Sequence, residues 1–228
     1  MAEFDFDAAR RWARFDPENT LARRSDDELP FVSASLIAGQ GLLLDTCVYI
    51  DQMQDRSPPV LDDLIAQRQV NHSTVAIQEL MHTVGVLKPS DVRTAPVVDV
   101  IRNQIKAMPP HRIFAPDIEV LGRAALLSGI LCRLQAYGKD GKLRALQDCV
   151  LFLQAQKLGF VVLTANVGDY DILLQLIPNG RVLFYRSKWT YARLSLRWAT
   201  LLPSYMQLVV FLREIFGSNS ADHHKSER

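Results

Sequence analysis

Two short apolar runs, each ending in a polar residue, constrain the fold of this chain more than any other feature. Residues 42–44 read Leu-Leu-Leu and are followed by Asp45, while residues 160–163 read Phe-Val-Val-Leu and are followed by Thr164. Short, fully apolar runs are typical of strands that are buried on both faces, as in parallel sheets. The polar residues then mark the carboxyl ends of two strands, where open α/β sheets place their functional groups.

Capped or amphipathic segments separate further short runs of this kind. Alternating strands and helices predict an α/β fold with a central, mostly parallel sheet and flanking helices. A loop is expected from Gly138 to Lys142. Gly159 is expected to cap the C-terminal end of the helix that follows this loop. The pattern predicts helices at 60–67, 75–85, 89–108, 117–137, 143–157 and 168–176, and further strands at 70–74, 112–115 and 182–185.

The charge balance excludes one class of function and hints at another. The chain has 26 basic and 25 acidic residues, a net charge of +1, which argues against a purely electrostatic binder of nucleic acid. Residues 172–228 nevertheless carry 8 basic and 3 acidic residues, a difference of +5 that indicates an acidic partner for this end.

The cysteines and the apolar stretches bear on where the protein works. Cys47, Cys132 and Cys149 lack the spacing of a metal site, and the acidic start does not resemble a signal peptide. We therefore expect a reduced, cytoplasmic protein. The longest apolar stretch, near Leu208–Leu212, is too short to span a bilayer, so no membrane association is expected.

Four acidic residues follow or flank the predicted strands. Asp45 follows the first apolar run, Glu79 lies in the helix after the second strand, and Asp169 follows Thr164 across a short loop. Each has an ordinary alternative, because Asp is common at helix N-caps and Glu is common on solvated helix faces. Asp148 is less ordinary, since it lies inside an apolar helix on a face that should pack and therefore needs a partner or a metal.

Taken together, these acids predict a cation site at the carboxyl edge of the sheet. Carboxylate oxygens suit Mg²⁺ or Mn²⁺, and two such ions can activate water and stabilise the leaving oxygen in phosphodiester hydrolysis. A phosphatase of the HAD type is a weaker alternative, because it needs an Asp-x-Asp pair where this chain has Asp45, Thr46 and Cys47.

The ordered motifs resemble the PIN-domain family of metal-dependent ribonucleases, and most nearly the VapC-type toxins of bacterial toxin–antitoxin pairs. The resemblance covers about residues 41–186. It implies a PIN-like three-layer fold with N- and C-terminal helical extensions, and Mg²⁺- or Mn²⁺-dependent cleavage of RNA. The matching segments are LLLDT at 42–46, STVAIQEL at 73–80, LQDCVLFLQAQKLGFVVLT at 146–164 and TANVGDYD at 164–171.

The resemblance assigns roles to individual residues. Asp45, Glu79, Asp148 and Asp169 correspond to the catalytic, metal-binding acids of the family. Thr46 lies beside the first acid, and Thr164 and Asn166 correspond to the supporting polar positions. The resemblance also implies an RNA substrate, a cognate antitoxin as partner, and a possible homodimer. The long extensions and Tyr170, where Phe is usual in the family, are departures from its pattern.

The resemblance divides the chain into four parts. Residues 1–40 are predicted to form a helical extension and a linker, and residues 41–186 the PIN-like nuclease domain. Residues 187–216 are predicted to form a C-terminal helical extension, and residues 217–228 a disordered tail. The apolar helix near the end is expected to pack on the core or to bind a second copy or an antitoxin.

A run of basic residues interleaved with aromatic ones lies near the C-terminus. Basic and aromatic side chains together suit single-stranded nucleic acid, although a solvated helix face is the ordinary alternative. Candidate RNA-binding residues are Arg181, Arg186, Lys188, Arg193 and Arg197.

Three functions are thus compatible with the sequence. The first is an endoribonuclease acting as the toxin of a toxin–antitoxin pair. The second is a PIN nuclease with a role in RNA processing rather than in toxicity. The third is a non-catalytic PIN-like module that binds RNA or protein, which the presence of all four acids disfavours.

Overall fold

The central sheet has five strands, and all of its strand pairs are parallel. The structure is a computed structural model that describes residues 4–11, 20–33, 35 and 38–188. The strands are β1 (Leu42–Leu44), β2 (Val70–Ser73), β3 (Ile113–Phe114), β4 (Val161–Thr164) and β5 (Val182–Phe184). Their order in the sheet is β3-β2-β1-β4-β5.

The helices lie on both faces of this sheet. They are α1 (Phe6–Arg10), α2 (Thr46–Met53), α3 (Pro59–Gln67), α4 (Thr74–Val86), α5 (Thr94–Lys106), α6 (Ile118–Leu134), α7 (Lys139–Leu158) and α8 (Val167–Leu176). The predicted α/β class and the mostly parallel sheet are therefore confirmed.

Alternation along the strands divides the core into two apolar layers. Leu43 and Val162 pack with residues of α6, α7 and α8 on one face. Leu42 and Leu163 pack with residues of α2 to α5 on the other face. Successive strand side chains point to opposite faces, so strands that are apolar at every position bury both faces. The result is the three-layer arrangement that the apolar runs predicted.

Some element boundaries differ from the prediction. The segment from Gly138 to Lys142, expected to be a loop, is largely helical, because Gly138 is the N-cap and α7 begins at Lys139. The helix expected from residue 89 begins only at Thr94. Gly159 closes α7 with a left-handed backbone (φ 74°), as predicted, because glycine adopts this conformation without steric cost.

The N-terminal segment of residues 20–33 lies against the α/β core. The backbone N–H of Val32 donates to the carbonyl of Phe184 at 2.7 Å, and Phe184 donates to the carbonyl of Pro30 at 2.9 Å. These bonds cover the outer edge of β5, and Leu29 is buried in the core. A stretch that its polarity predicted to be a linker thus packs along the sheet.

A buried ion pair fixes this segment to α8. The backbone N–H and Nε of Arg24 each donate to the carboxylate of Asp171 at 2.7 Å, and Gln175 donates to the same group at 3.1 Å. Asp171 is fully buried. A buried carboxylate is tolerated only when it is paired and hydrogen-bonded.

We expect Arg24→Met to lower the free energy of unfolding by about 2 kcal/mol. The value lies below the usual cost of breaking a buried pair, because Arg24 is partly exposed and Asp171 keeps two other donors. Urea denaturation measures the change. The matched control is Arg23→Met, since Arg23 and its partner Asp26 are exposed and such pairs contribute little. Equal effects of the two substitutions would contradict the assignment.

Candidate active site

The strand order creates a crevice at the carboxyl end of β1 and β4. From β1 the chain proceeds to β2 and β3 on one side of the sheet and then returns to β4 and β5 on the other. Open α/β sheets bind ligands at such a switch point, because the connections diverge and leave the strand ends uncovered. Asp45 and Thr164 occupy the ends of these two strands.

Asp45 is held rigidly at this crevice. Its backbone N–H donates to the carbonyl of Leu163 at 3.1 Å, and its carboxylate accepts from the Thr164 hydroxyl at 2.6 Å and from the Thr46 N–H at 2.7 Å. Asp45 is therefore the N-cap of α2, as the ordinary alternative predicted. It is also almost completely buried beside the other acids, so capping and a site role coexist.

Glu79 reaches the same region from α4. The hydroxyl of Thr46 donates a short hydrogen bond to its carboxylate. Thr46 is the first residue of α2, so the residue after Asp45 joins the first acid to the second. The side chain of Glu79 is partly buried rather than fully solvated.

Asp148 and Asp169 are joined by one amide. Nδ2 of Asn166 donates to Asp148 at 3.1 Å and to Asp169 at 3.0 Å. Asn166 itself is the N-cap of α8, so Asp169 lies in the first turn of that helix and is not its cap. Both carboxylates are buried, with 6% of each residue exposed.

The electrostatics show that the four acids interact. Burial raises the pKa of Asp45, and burial together with the charges of Asp169, Asp45 and Glu79 raises the pKa of Asp148 well above its usual range. Burial and the charge of Asp45 raise the pKa of Glu79 to about 7. Desolvation and repulsion disfavour the charged forms until a cation compensates them. The acids that lie up to 124 residues apart in sequence are therefore one electrostatic cluster.

Two further residues contact the cluster and were not predicted from the sequence. The hydroxyl of Tyr137 donates a short hydrogen bond to Asp169, and Nε of Arg144 lies 3.3 Å from the other oxygen of that carboxylate. Arg144 precedes Asp148 by four residues on α7, a spacing that places both on one helix face and could have identified it. Tyr137 lies just before Gly138 and has no comparable sequence signal.

Cys47 lies beside the first acid. Its thiol donates to Asp45 at 3.2 Å and accepts from the Ala165 N–H at 3.2 Å. Burial and the charge of Asp45 raise the pKa of this thiol well above its usual value. A neutral thiol is a poor nucleophile, so Cys47 contributes packing and a weak hydrogen bond.

His72 of β2 is buried and hydrogen-bonded within the fold. Nδ1 of His72 is hydrogen-bonded to the Tyr49 hydroxyl at 2.8 Å, and burial lowers the pKa of His72 to about 4. Its imidazole is neutral at physiological pH and is already engaged, as expected for an ordinary buried histidine.

The donor chemistry of the site suits a hard cation, although the acids are not positioned as a finished metal site. In the part of the chain that the structure describes, no three acidic, histidine or cysteine side chains are arranged to hold a metal ion. Thr46, Thr164 and Asn166 instead donate hydrogen bonds to the carboxylates. Clustered carboxylates are nevertheless the oxygen ligands that Mg²⁺ and Mn²⁺ prefer.

The candidate RNA-binding residues lie in different places. Arg181 is exposed just before β5, at the amino end of the sheet and thus opposite the acids. Arg186 pairs with Asp26 and lies 4.8 Å from the ring centre of Phe31. Lys188 lies 3.4 Å from the carboxylate of Asp55. Arg193 and Arg197, with the predicted C-terminal helices and tail, lie outside the described residues.

Comparison with known proteins gives a structural likeness only. No protein-family model matches the chain, and no curated protein matches it. DNA-bound VapBC from Salmonella typhimurium is 15% identical over 64% of this chain and 98% of that one, with a TM-score of 0.43. VapBC2 from Rickettsia felis, bound to a promoter fragment, is 13% identical over 64% and 98% of the two chains, with a TM-score of 0.43. FitAcB from Neisseria gonorrhoeae is 18% identical over 63% and 96%, also with a TM-score of 0.43.

These identities and scores leave activity and substrate to be inferred from the site itself.

Within the described helices, none combines the length and the apolarity needed to cross a membrane.

Proposed function

We propose that this chain is a Mg²⁺- or Mn²⁺-dependent endoribonuclease of the PIN type. The observation that supports it most is the gathering of Asp45, Glu79, Asp148 and Asp169 at the switch point of a parallel sheet. Buried carboxylates that repel one another are costly for a fold, and a cation site is the simplest reason to keep them.

The proposal gives each acid a place in the site. Asp45, Glu79 and Asp148 would hold the principal ion, with Asp169 assisting it or a second ion. The bound metal would supply an activated water and stabilise the leaving oxygen. Thr164 orients Asp45, Thr46 orients Glu79, and Asn166 orients both remaining acids. Tyr137 and Arg144 also contact the carboxylate of Asp169.

The substrate and the biological role rest on the sequence resemblance. The four matching segments resemble VapC-type toxins, so we propose RNA as substrate, a cognate antitoxin as partner and action in the cytoplasm. The net positive C-terminal end would attract the phosphates that the acidic site itself repels. If the chain instead acts in RNA processing without an antitoxin, the proposed reaction at the four acids is the same.

Cleavage of RNA by the purified full chain tests the catalytic proposal. We expect single-stranded RNA to be cut internally in the presence of Mn²⁺ or Mg²⁺, because the acids need a cation to be charged together. Chelation by EDTA is expected to stop the reaction, and re-addition of the metal to restore it. Cleavage that persists in EDTA would overturn the proposal.

Growth tests the toxin role separately. Expression of the wild-type chain is expected to arrest growth, whereas Asp45→Asn is expected to be tolerated. Normal growth with an active purified enzyme would instead assign the nuclease to RNA processing.

A further inference from the structure

A second pocket lies at the opposite end of the sheet from the acids. It encloses about 280 Å³ and is lined by Pro30, Gly39, Arg68, Val161, Arg181 and Leu183, with further apolar side chains. Val161 begins β4, and Arg181 directly precedes β5. The pocket therefore opens at the amino ends of the strands, whereas Asp45 and Thr164 lie at the carboxyl ends.

Arg68 is a buried cation at this pocket. Only 8% of the residue is exposed. Its Nε donates to the carbonyl of Gln40 at 2.7 Å, and one terminal nitrogen donates to the same oxygen. A guanidinium carries five N–H donors, so three remain for other partners.

No carboxylate balances this charge within the described residues. Ion pairs there join other arginines to acids, for example Arg24 to Asp171, but none includes Arg68 or Arg181. A buried charge is expensive unless a counter-charge accompanies it. Burial accordingly lowers the pKa of Arg68.

The backbone beside Arg68 leaves room for its guanidinium group. Gly39 has φ +149°, and a Cβ atom built there would lie 3.3 Å from Cζ of Arg68. A side chain at this position would crowd the guanidinium group, and the backbone conformation itself favours glycine. Arg181 contributes a second, exposed cation to the same pocket, and its backbone carbonyl accepts from the Val162 N–H at 2.9 Å.

We propose that this pocket binds a small organic phosphate of mononucleotide size. Two guanidinium groups suit phosphate, since the planar fork of arginine matches its oxygens. The remaining lining, including Val161, Val182 and Leu183, suits the apolar faces of a base. The volume lies just below the usual range of about 300–1,000 Å³ for small-molecule pockets, so it fits one nucleotide rather than an oligomer. This site stands independently of the proposed nuclease activity.

Calorimetric titration of the full chain with AMP, adenosine and inorganic phosphate tests the proposal. AMP is expected to bind saturably, and adenosine at least about tenfold more weakly, because it lacks the charged group that the arginines contact. Arg181→Gln is expected to weaken AMP binding by about tenfold for the same reason. Lys106→Gln is the matched control, since it removes one exposed positive charge from α5, which does not line the pocket, and should leave the affinity unchanged.

A second variant separates binding from folding. Arg68→Lys keeps the positive charge but loses the planar fork, so it is expected to weaken AMP binding while circular dichroism shows a folded chain. Equal affinities of AMP and adenosine, or unchanged AMP binding in Arg181→Gln, would overturn the proposal.

A 5′-phosphorylated dinucleotide identifies the source of the phosphate. Tighter binding than AMP supports an RNA end as ligand, and weaker binding supports a free mononucleotide.

Discussion

Asp148→Asn is expected to reduce metal-dependent RNA cleavage by about 100-fold or more. Mutating residues that only orient metal ligands already costs up to about 100-fold in activity, and a ligand should matter at least as much. The substitution removes one proposed ligand oxygen and one negative charge. An amide at this position can still accept the hydrogen bond from Asn166. The loss should therefore reflect the missing carboxylate rather than a rearranged helix, and gel-based cleavage of a labelled RNA measures it.

The same variant should be at least as stable as the wild type without metal. Asp148 is buried among three other acids, and their charges and its burial disfavour its ionised form. Removing the carboxyl relieves that cost. Asp99→Asn on the exposed side of α5 is the matched control, since Asp99 is exposed and pairs with the exposed Arg102, and it should retain full activity. Full cleavage by Asp148→Asn would remove this residue from the proposed site.

The second large effect concerns pH. The stability advantage of Glu79→Gln over the wild type is expected to grow by about 2 kcal/mol between pH 5 and pH 8 in the absence of metal. The pKa of Glu79 is raised from 4.5 to about 7 in the folded chain. Through this window the folded state holds a proton that the unfolded state has released, so the wild type loses stability as the pH rises.

Comparing the wild type with Glu79→Gln cancels the opposing pH dependence that His72 contributes. The pKa of His72 is lowered to about 4, so the unfolded state binds the extra proton there and stability rises with pH up to about 6.5. His72 is present in both proteins and drops out of the difference. Urea denaturation at the two pH values gives the result, and Mn²⁺ is expected to reduce the difference by stabilising the charged carboxylate. A difference that stays constant with pH would show that Glu79 is not buried among charges.

The sequence predicts much of the sheet well because β1, β5 and all of β4 except Thr164 are apolar. Leu42 to Leu44 and Val161 to Thr164 are strands as expected, and both faces of each are covered. Local signals were less reliable at Gly138, where a glycine that suggested a loop is the N-cap of α7. Helix α7 packs against α6 in the core, and tertiary packing overrides weak local propensity.

Asp45 and Asp169 of the candidate site were predictable because they follow recognisable strands, and Asp148 because it is an acid inside an apolar helix. The contact of Tyr137 with Asp169 was not predicted, because it forms only through the fold. The ion pair of Arg24 with Asp171 spans 147 residues and likewise leaves no local trace. Long-range pairing of this kind depends on the topology that the strands create, and the sequence shows only the strands.

The strand order also governs when the site can form during synthesis. The hydrogen bond from Thr164 to Asp45 joins residues 119 apart, and Asn166 connects two acids from the second half of the chain. Asp45 and Glu79 are therefore synthesised long before Asp148, Thr164 and Asp169 exist. Residues 20–33 must likewise wait for β5 before they can cover its edge. Truncated or half-translated chains hold only a fraction of the acid cluster, so any activity of this cluster is confined to chains translated nearly to the end of the sheet.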